Sequence, residues 1–478
     1  MTLLIISPDY ASHLLPLATL GTAWRDAGER VVVATGPATA SIVESFGFER
    51  VNLQLGRGSN PGVIRAEDQP KGEDDALRGF FDASRVGAVA TLSFQATARL
   101  SDLMWDPVNT ARAVQKVVDD LRPDHVIVDH LAFSARLALL AQGTAYADVV
   151  LGHPSALPLP AAGEVYGFPP EWPVGFSPEA GNVSAEELAD LLELCNRVSE
   201  SFTLEWNTAL AQLNPDVAPS ANAFAEHGDL LLLNYPEELH SAERTALLPP
   251  HEFLGSAVRE EPADEQVIAW LESSDKPFVY VSFGSFLSVR GDVLARVLEA
   301  LKGLDARVAI ATGSADRDEL GDLPGEWLVR EFLPQVTLLQ RAAAAVTHGG
   351  NNSVTESMNF GVPLLVLPFS TDQFAGAAAI ERVGFGVVAD PNAASVEELR
   401  AAIARIYPGA DTVAEPAGAA ASIAPAVDTP ALTALSASLL ATPGRDRAYR
   451  ALHARTDTLA PTPAAAPGSS TDVANAIH

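Results

Sequence analysis

A chain of 478 residues, 47% apolar and 19% charged, is too long for one core and too apolar for disorder, so two or three domains are expected. The formal charge of −30 argues against nucleic acid and anionic membranes as partners. No apolar run nears the roughly 20 residues of a membrane helix, the opening Met1–Tyr10 lacks a basic leader segment, and a lone Cys195 excludes an internal disulfide, which together suggest a reducing, cytoplasmic setting.

Thr2–Ser7 reads as a strand closed by Pro8, Leu14–Ala27 as a helix ended by Gly28, and Val31–Ala34 as the next strand. This opening begins a doubly wound parallel sheet. Ligands of such sheets bind at the carboxyl ends of strands, which puts His13, between the first strand and its helix, on a functional edge. Residues 54–75 read as a long loop. Phe80, Phe81, Phe94, Met104 and Trp105 follow in a helical region and are read as core packing, with an apolar pocket as the alternative.

The strand His125–Val128 ends at Asp129, on the same edge as His13; Asp124 and His130 are its neighbours. A helix over Ala132–Ala141, a strand near Ala147–Leu151, a proline-rich loop over 156–180, a helical segment over 184–213 and a buried strand over Asp229–Asn234 complete a first domain, 1–240. The acidic stretch 259–265 falls in a linker, 241–275. Strands then restart at Phe278–Phe283, with Gly284-Ser285 at the end, and continue through Val308–Ala311 and Trp327–Arg330 in a second domain, 276–406. Composition shifts to Ala, Pro, Thr and Ser over 407–441, read as a flexible insertion, and 442–478 carries a helix at Asp446–Ala460.

The most informative stretch is Phe332 to Phe385. Ala345–Thr347 closes an apolar strand, His348-Gly349-Gly350 makes a glycine turn, and a helix opens at Asn351–Ser353 and stops at Gly361. Free N–H groups and the helix dipole at such a junction favour an anion, and His348 adds a donor: a cradle for a nucleotide diphosphate.

Four elements recur here in one order: Phe332-Leu333-Pro334-Gln335; His348 through Gly350, Asn352 and Ser353 to Glu356; Gly361-Val362-Pro363; and Pro368 to Asp372-Gln373. The order resembles the donor-binding signature of the family-1, nucleotide-sugar-dependent glycosyltransferases. That resemblance implies an α/β GT-B fold, two facing Rossmann-like domains with the active site between them, and a C-terminal helix returning to the first domain. It also implies roles. His348, Gly350, Asn352 and Ser353 would hold the diphosphate, Glu356 the ribose, Phe332 and Gln335 the base, Asp372 and Gln373 the sugar hydroxyls. Ser285 would meet the phosphates from the second domain's first loop. His13, followed by Pro16, matches the family's catalytic base, with Asp129 as its partner.

Some readings stay open. Ser353-x-x-Glu356 is also the pattern of a helix capping box. Phe332 stands where many members carry tryptophan, so uracil and thymine are not separated. Asp316-Arg317-Asp318 superficially fits a metal motif but lies among charges, so no metal is expected, and no cofactor beyond a UDP-sugar co-substrate. The expected function is inverting transfer of a hexose, glucose favoured, from a UDP-sugar to a hydroxyl of a small apolar acceptor (phenolic, polyketide or terpenoid), giving a β-glycoside. Loops 54–106 and 154–180 are expected to shape the acceptor pocket. The rivals are a dTDP-deoxysugar transferase acting on a macrolide or polyketide, a nucleotide-sugar epimerase, and a non-catalytic activator.

Overall fold

The computed structural model describes residues 1–62, 73–100, 103–178, 182–284, 290–315, 317–370, 372–407 and 427–459. The first half is built on β1 (Thr2–Ile6), β2 (Arg30–Thr35), β3 (Glu49–Asn52), β4 (His125–Asp129), β5 (Ala147–Val150), β6 (Leu230–Leu233) and β7 (His251–Phe253). They form one parallel sheet in the order β3-β2-β1-β4-β5-β6-β7. Helices cover both faces: Leu3, Ile5 and Val33 pack into one layer, Leu4, Ile6 and Val32 into the other. Burial on two sides is why these strands are continuous apolar runs without alternation.

The second half repeats the plan with β8 (Phe278–Ser282), β9 (Arg307–Ala311), β10 (Leu328–Arg330), β11 (Ala344–Thr347), β12 (Leu364–Val366) and β13 (Gly386–Val388), ordered β10-β9-β8-β11-β12-β13. In each sheet the order reverses at one place, between β1 and β4 and between β8 and β11. These are the points where crossovers diverge and a crevice opens beyond the strand ends. The fold is GT-B.

Three sequence expectations need correction. The first sheet runs past 240, because β7 pairs in parallel with β6 (Leu231 with His251 to Leu233 with Phe253); three residues with two polar side chains gave no strand pattern. The 407–441 segment is not wholly flexible, since Thr429–Ala441 is a helix. Asp428 caps it by accepting from Ala431 N–H, and Leu432, Leu435 and Leu439 bury one stripe against the second half. The helix that begins near His13 starts at Ala11, three residues earlier than the periodicity suggested. The last described helix, Gly444–Leu459, lies on helix Ala11–Asp26 of the first half. There Tyr449 packs edge-on against Trp24 with ring centroids 5.0 Å apart, and Arg445 pairs with Asp26 at 2.8 Å. No helix among the described residues is long and apolar enough to cross a membrane.

Candidate active site in the interdomain cleft

His13 sits in the first turn of the helix that follows β1, and Asp129 is the last residue of β4, the neighbour of β1 across the reversal. Adjacent strand ends therefore bring together two residues 116 positions apart, with His13 Nδ1 2.6 Å from Asp129 Oδ2. Asp129 is fully buried, and its Oδ1 accepts from Leu131 N–H at 2.8 Å, which fixes the carboxylate. Burial alone would lower the imidazole pKa. The charge and hydrogen bond of Asp129, with help from Asp372, hold it above the ordinary 6.5. The same pairing holds the Asp129 carboxyl below its usual range despite burial. A neutral His13 donates Nδ1–H to Asp129 and keeps a lone pair on Nε2.

The second sheet places its own edge opposite. Gly284 follows β8 and His348 follows β11, strands in register at Ser282 and Thr347. Two glycines make room for the imidazole: a Cβ on Gly350 would stand 2.3 Å from His348 Nε2, and one on Gly284 2.9 Å from Cε1. Burial drops the His348 pKa to about 4, so the ring is neutral, and its buried Nδ1 has no partner among the described residues. Helix Asn351–Asn359 begins directly after, with Gly350 at its N-cap and no side-chain cap on its first N–H groups. A neutral imidazole and an uncapped helix start lining one cleft fit a diphosphate.

That cleft, of about 370 Å³, is lined from the first half by Ser12 and His13 and from the second by Phe332, Gln335, His348, Gly350, Asn352, Ser353 and Gln373. Phe332 leaves 63% of its surface exposed, an aromatic face available for stacking. Pro16 shapes the seam. It has no N–H, so the Ser12 carbonyl lacks its helical donor, and Asn352 Nδ2 of the other half donates to it at 3.3 Å. Gln373 Oε1 accepts from Phe369 and Ser370 N–H, which leaves its amide hydrogens as the donors it can offer.

Other placements depart from expectation. Glu356 does not line the cleft: it is 2% exposed, with Oε1 held by Arg259 at 2.6 Å and Oε2 by Gln335 at 2.7 Å. It acts on the floor from beneath, and it belongs to no capping box, because the helix is capped at Gly350, three residues before Ser353. Asp372 parts from Gln373. Its Oδ2 accepts from His153 N–H of the first half at 2.7 Å, and its carboxylate lines a second cavity, of about 250 Å³, rather than the first. Ser285 and Asp316 lie outside the described residues; Arg317–Leu320 is a short 3-10 turn.

The family model described as the erythromycin biosynthesis protein CIII-like C-terminal domain matches residues 295–437. An uncharacterized UDP-glucosyltransferase, YojK of Bacillus subtilis (strain 168), is 30% identical over 155 residues, 32% of this chain and 38% of that protein. The chain is similar to family-1 glycosyltransferases over part of its length, and its fold is that of GT-B structures. The first curated relatives are matched over 38% to 62% of their own lengths. Among solved structures, the spinosyn forosaminyltransferase SpnP superposes with a TM-score of 0.63 at 18% identity, covering 96% of this chain and 99% of that one. Glycosyltransferase VinC, in complex with DTDP, gives 0.60 at 18%, covering 96% and 100%.

Several cleft residues escaped the sequence. Arg259 reaches into the cleft from the interdomain stretch, paired with both Glu356 and Glu261; a lone arginine opening an acidic run was the available signal. Asn234 and Asn351 exchange amide hydrogen bonds across the domains, Nδ2 of each donating to the other residue at 3.2 Å. His130, read only as a neighbour of Asp129, is 3% exposed and lines the second cavity.

Proposed function

We propose that this chain transfers a hexosyl group from a UDP-sugar to a hydroxyl of a small apolar acceptor by one direct displacement that inverts the anomeric carbon. One observation carries the reading: His13, bonded to Asp129, borders both cavities, the one that holds the donor-binding turn and the one beyond it. A base between donor and acceptor spaces is what the reaction requires. The acceptor hydroxyl gives its proton to His13 Nε2 as its oxygen attacks the anomeric carbon. The bond to the diphosphate breaks on the opposite side, and the leaving charge falls to the N–H groups at 351–353 and to His348. Asp129 keeps the required tautomer and stabilises the imidazolium that forms. No step is assigned to a metal.

A UDP-hexose is favoured by the similarity to YojK, named a UDP-glucosyltransferase, and by Gln373, whose amide suits sugar hydroxyls. A second reading, a dTDP-deoxysugar donor, draws support from VinC, described in complex with DTDP, and from phenylalanine at 332. A panel of UDP-glucose and dTDP-sugars with an acceptor library separates the two. The expected product is a β-glycoside that forms only when acceptor is present. An α-product, or donor conversion without acceptor, contradicts the proposal.

A further inference from the structure

We propose that the second cavity is a subsite for an acceptor carrying an anionic oxygen, a carboxylate in the first instance, on an apolar body, and that Arg99 is the residue that reads it. The inference rests on the transferase reading above and names the acceptor class.

Arg99 closes helix Ala88–Arg99 and lines the cavity that begins at His13. Its guanidinium lies over the Tyr166 ring, 5.0 Å from the centroid. Tyr166 stacks on Phe224 at 3.8 Å and 6°, and Phe224 on Phe202 at 4.3 Å, so the cation rests on a column of packed rings. Gly167 gives it space: φ is +85°, and a Cβ there would meet Arg99 Nη1 at 3.2 Å. Among the described residues no carboxylate pairs with Arg99. Three buried arginines are matched by carboxylates, Arg136 with Asp148, Arg244 with Glu164 and Arg290 with Asp292, whereas buried Arg307 is satisfied by backbone carbonyls and Ser273. In a protein with 61 acidic and 31 basic residues, an unmatched guanidinium facing a cavity is a site for an incoming anion.

The cavity is also polarised. Asp372, held by His153 N–H, contributes a carboxylate to the same lining and acts electrostatically on His13. An acid group on the acceptor is repelled by Asp372 and drawn to Arg99, which turns the acceptor's hydroxyl toward His13. His130 adds an uncharged contact. Its Nδ1 lies 3.3 Å from the Val149 carbonyl and 3.4 Å from the Leu151 N–H, which hold the ring in the wall of the cavity. The predicted product is an ether-type glycoside with the carboxylate left free, not a glycosyl ester.

The test compares 7-hydroxycoumarin-3-carboxylic acid with its ethyl ester, titrated calorimetrically into the full chain with UDP present. Wild type should bind the acid about tenfold tighter, the scale of one charge-assisted hydrogen bond. Arg99→Gln should bring the ratio to about one, and Arg99→Lys should keep part of it. Equal affinity in wild type, or a ratio that survives Arg99→Gln in a variant that melts normally, overturns the proposal. Turnover with UDP-glucose reads the orientation: a 7-O-glycoside supports it and a glycosyl ester overturns it. A binding ratio with no glycoside from any donor sinks the transferase reading and leaves the anion subsite standing.

Discussion

His13 Nδ1 and Asp129 Oδ2 lie 2.6 Å apart at the point where the first sheet reverses its strand order. The imidazole is 23% exposed while the carboxylate is wholly buried, so one ring nitrogen is fixed and the other faces the cleft. The pair titrates in opposite directions, His13 raised and Asp129 lowered. The base is active when neutral, so the acid limb of kcat/KM should lie above pH 6.5.

Asp129→Asn tests that coupling. Without the carboxylate charge, burial dominates and the His13 pKa falls, so the acid limb should move to lower pH. The plateau should drop by on the order of 10²–10⁴-fold as the tautomer is no longer enforced. A pH–rate profile of the variant measures both; an unmoved limb removes Asp129 as the partner.

Gly350→Ala separates the donor site from the fold. Gly350 has φ −65° and ψ 152°, which any residue adopts, so only the 2.3 Å approach to His348 Nε2 is at issue. The ring must turn away and lose its place in the cleft. UDP affinity should fall about tenfold or more, the scale of one hydrogen bond to a charged group, with little change in melting temperature. Calorimetric titration of UDP into the variant checks this.

Arg259→Ala removes the cation beside a carboxylate that is 2% exposed. Leaving Glu356 buried and half-paired should cost about 3–5 kcal/mol of stability. Gln335 loses its anchor as well, so UDP binding should weaken. Denaturant unfolding of the variant measures the first effect. Glu356→Gln together with Arg259→Met should recover part of the stability, since the Glu356 charge is gone and only Glu261 loses its cation.

The turn at His348–Gly350 was legible because its information is local: a strand, two glycines and a helix start within Ala345–Ser353 dictate it. The pairing of His13 with Asp129 followed from topology, as both end at one sheet edge. That Glu356 and Asp372 do not line the first cleft was not legible, for the opposite reason. Glu356 turns inward because Arg259, 97 residues away, meets it, and Asp372 turns toward the second cavity because the His153 N–H of the other domain takes its oxygen. Neither partner is implied by any local pattern. Helix Thr429–Ala441 was hidden by alanine, serine and threonine around a stripe of three leucines.

The central claim is that His13 takes the acceptor's proton in a cleft whose nucleotide grip lies on the other domain. Single-turnover transfer by His13→Ala, with UDP affinity measured on the same sample, tests it most directly. The account predicts transfer slowed by on the order of 10²–10⁴-fold with UDP affinity within about twofold of wild type. Transfer at the wild-type rate, or loss of UDP binding in step with loss of transfer, would contradict it.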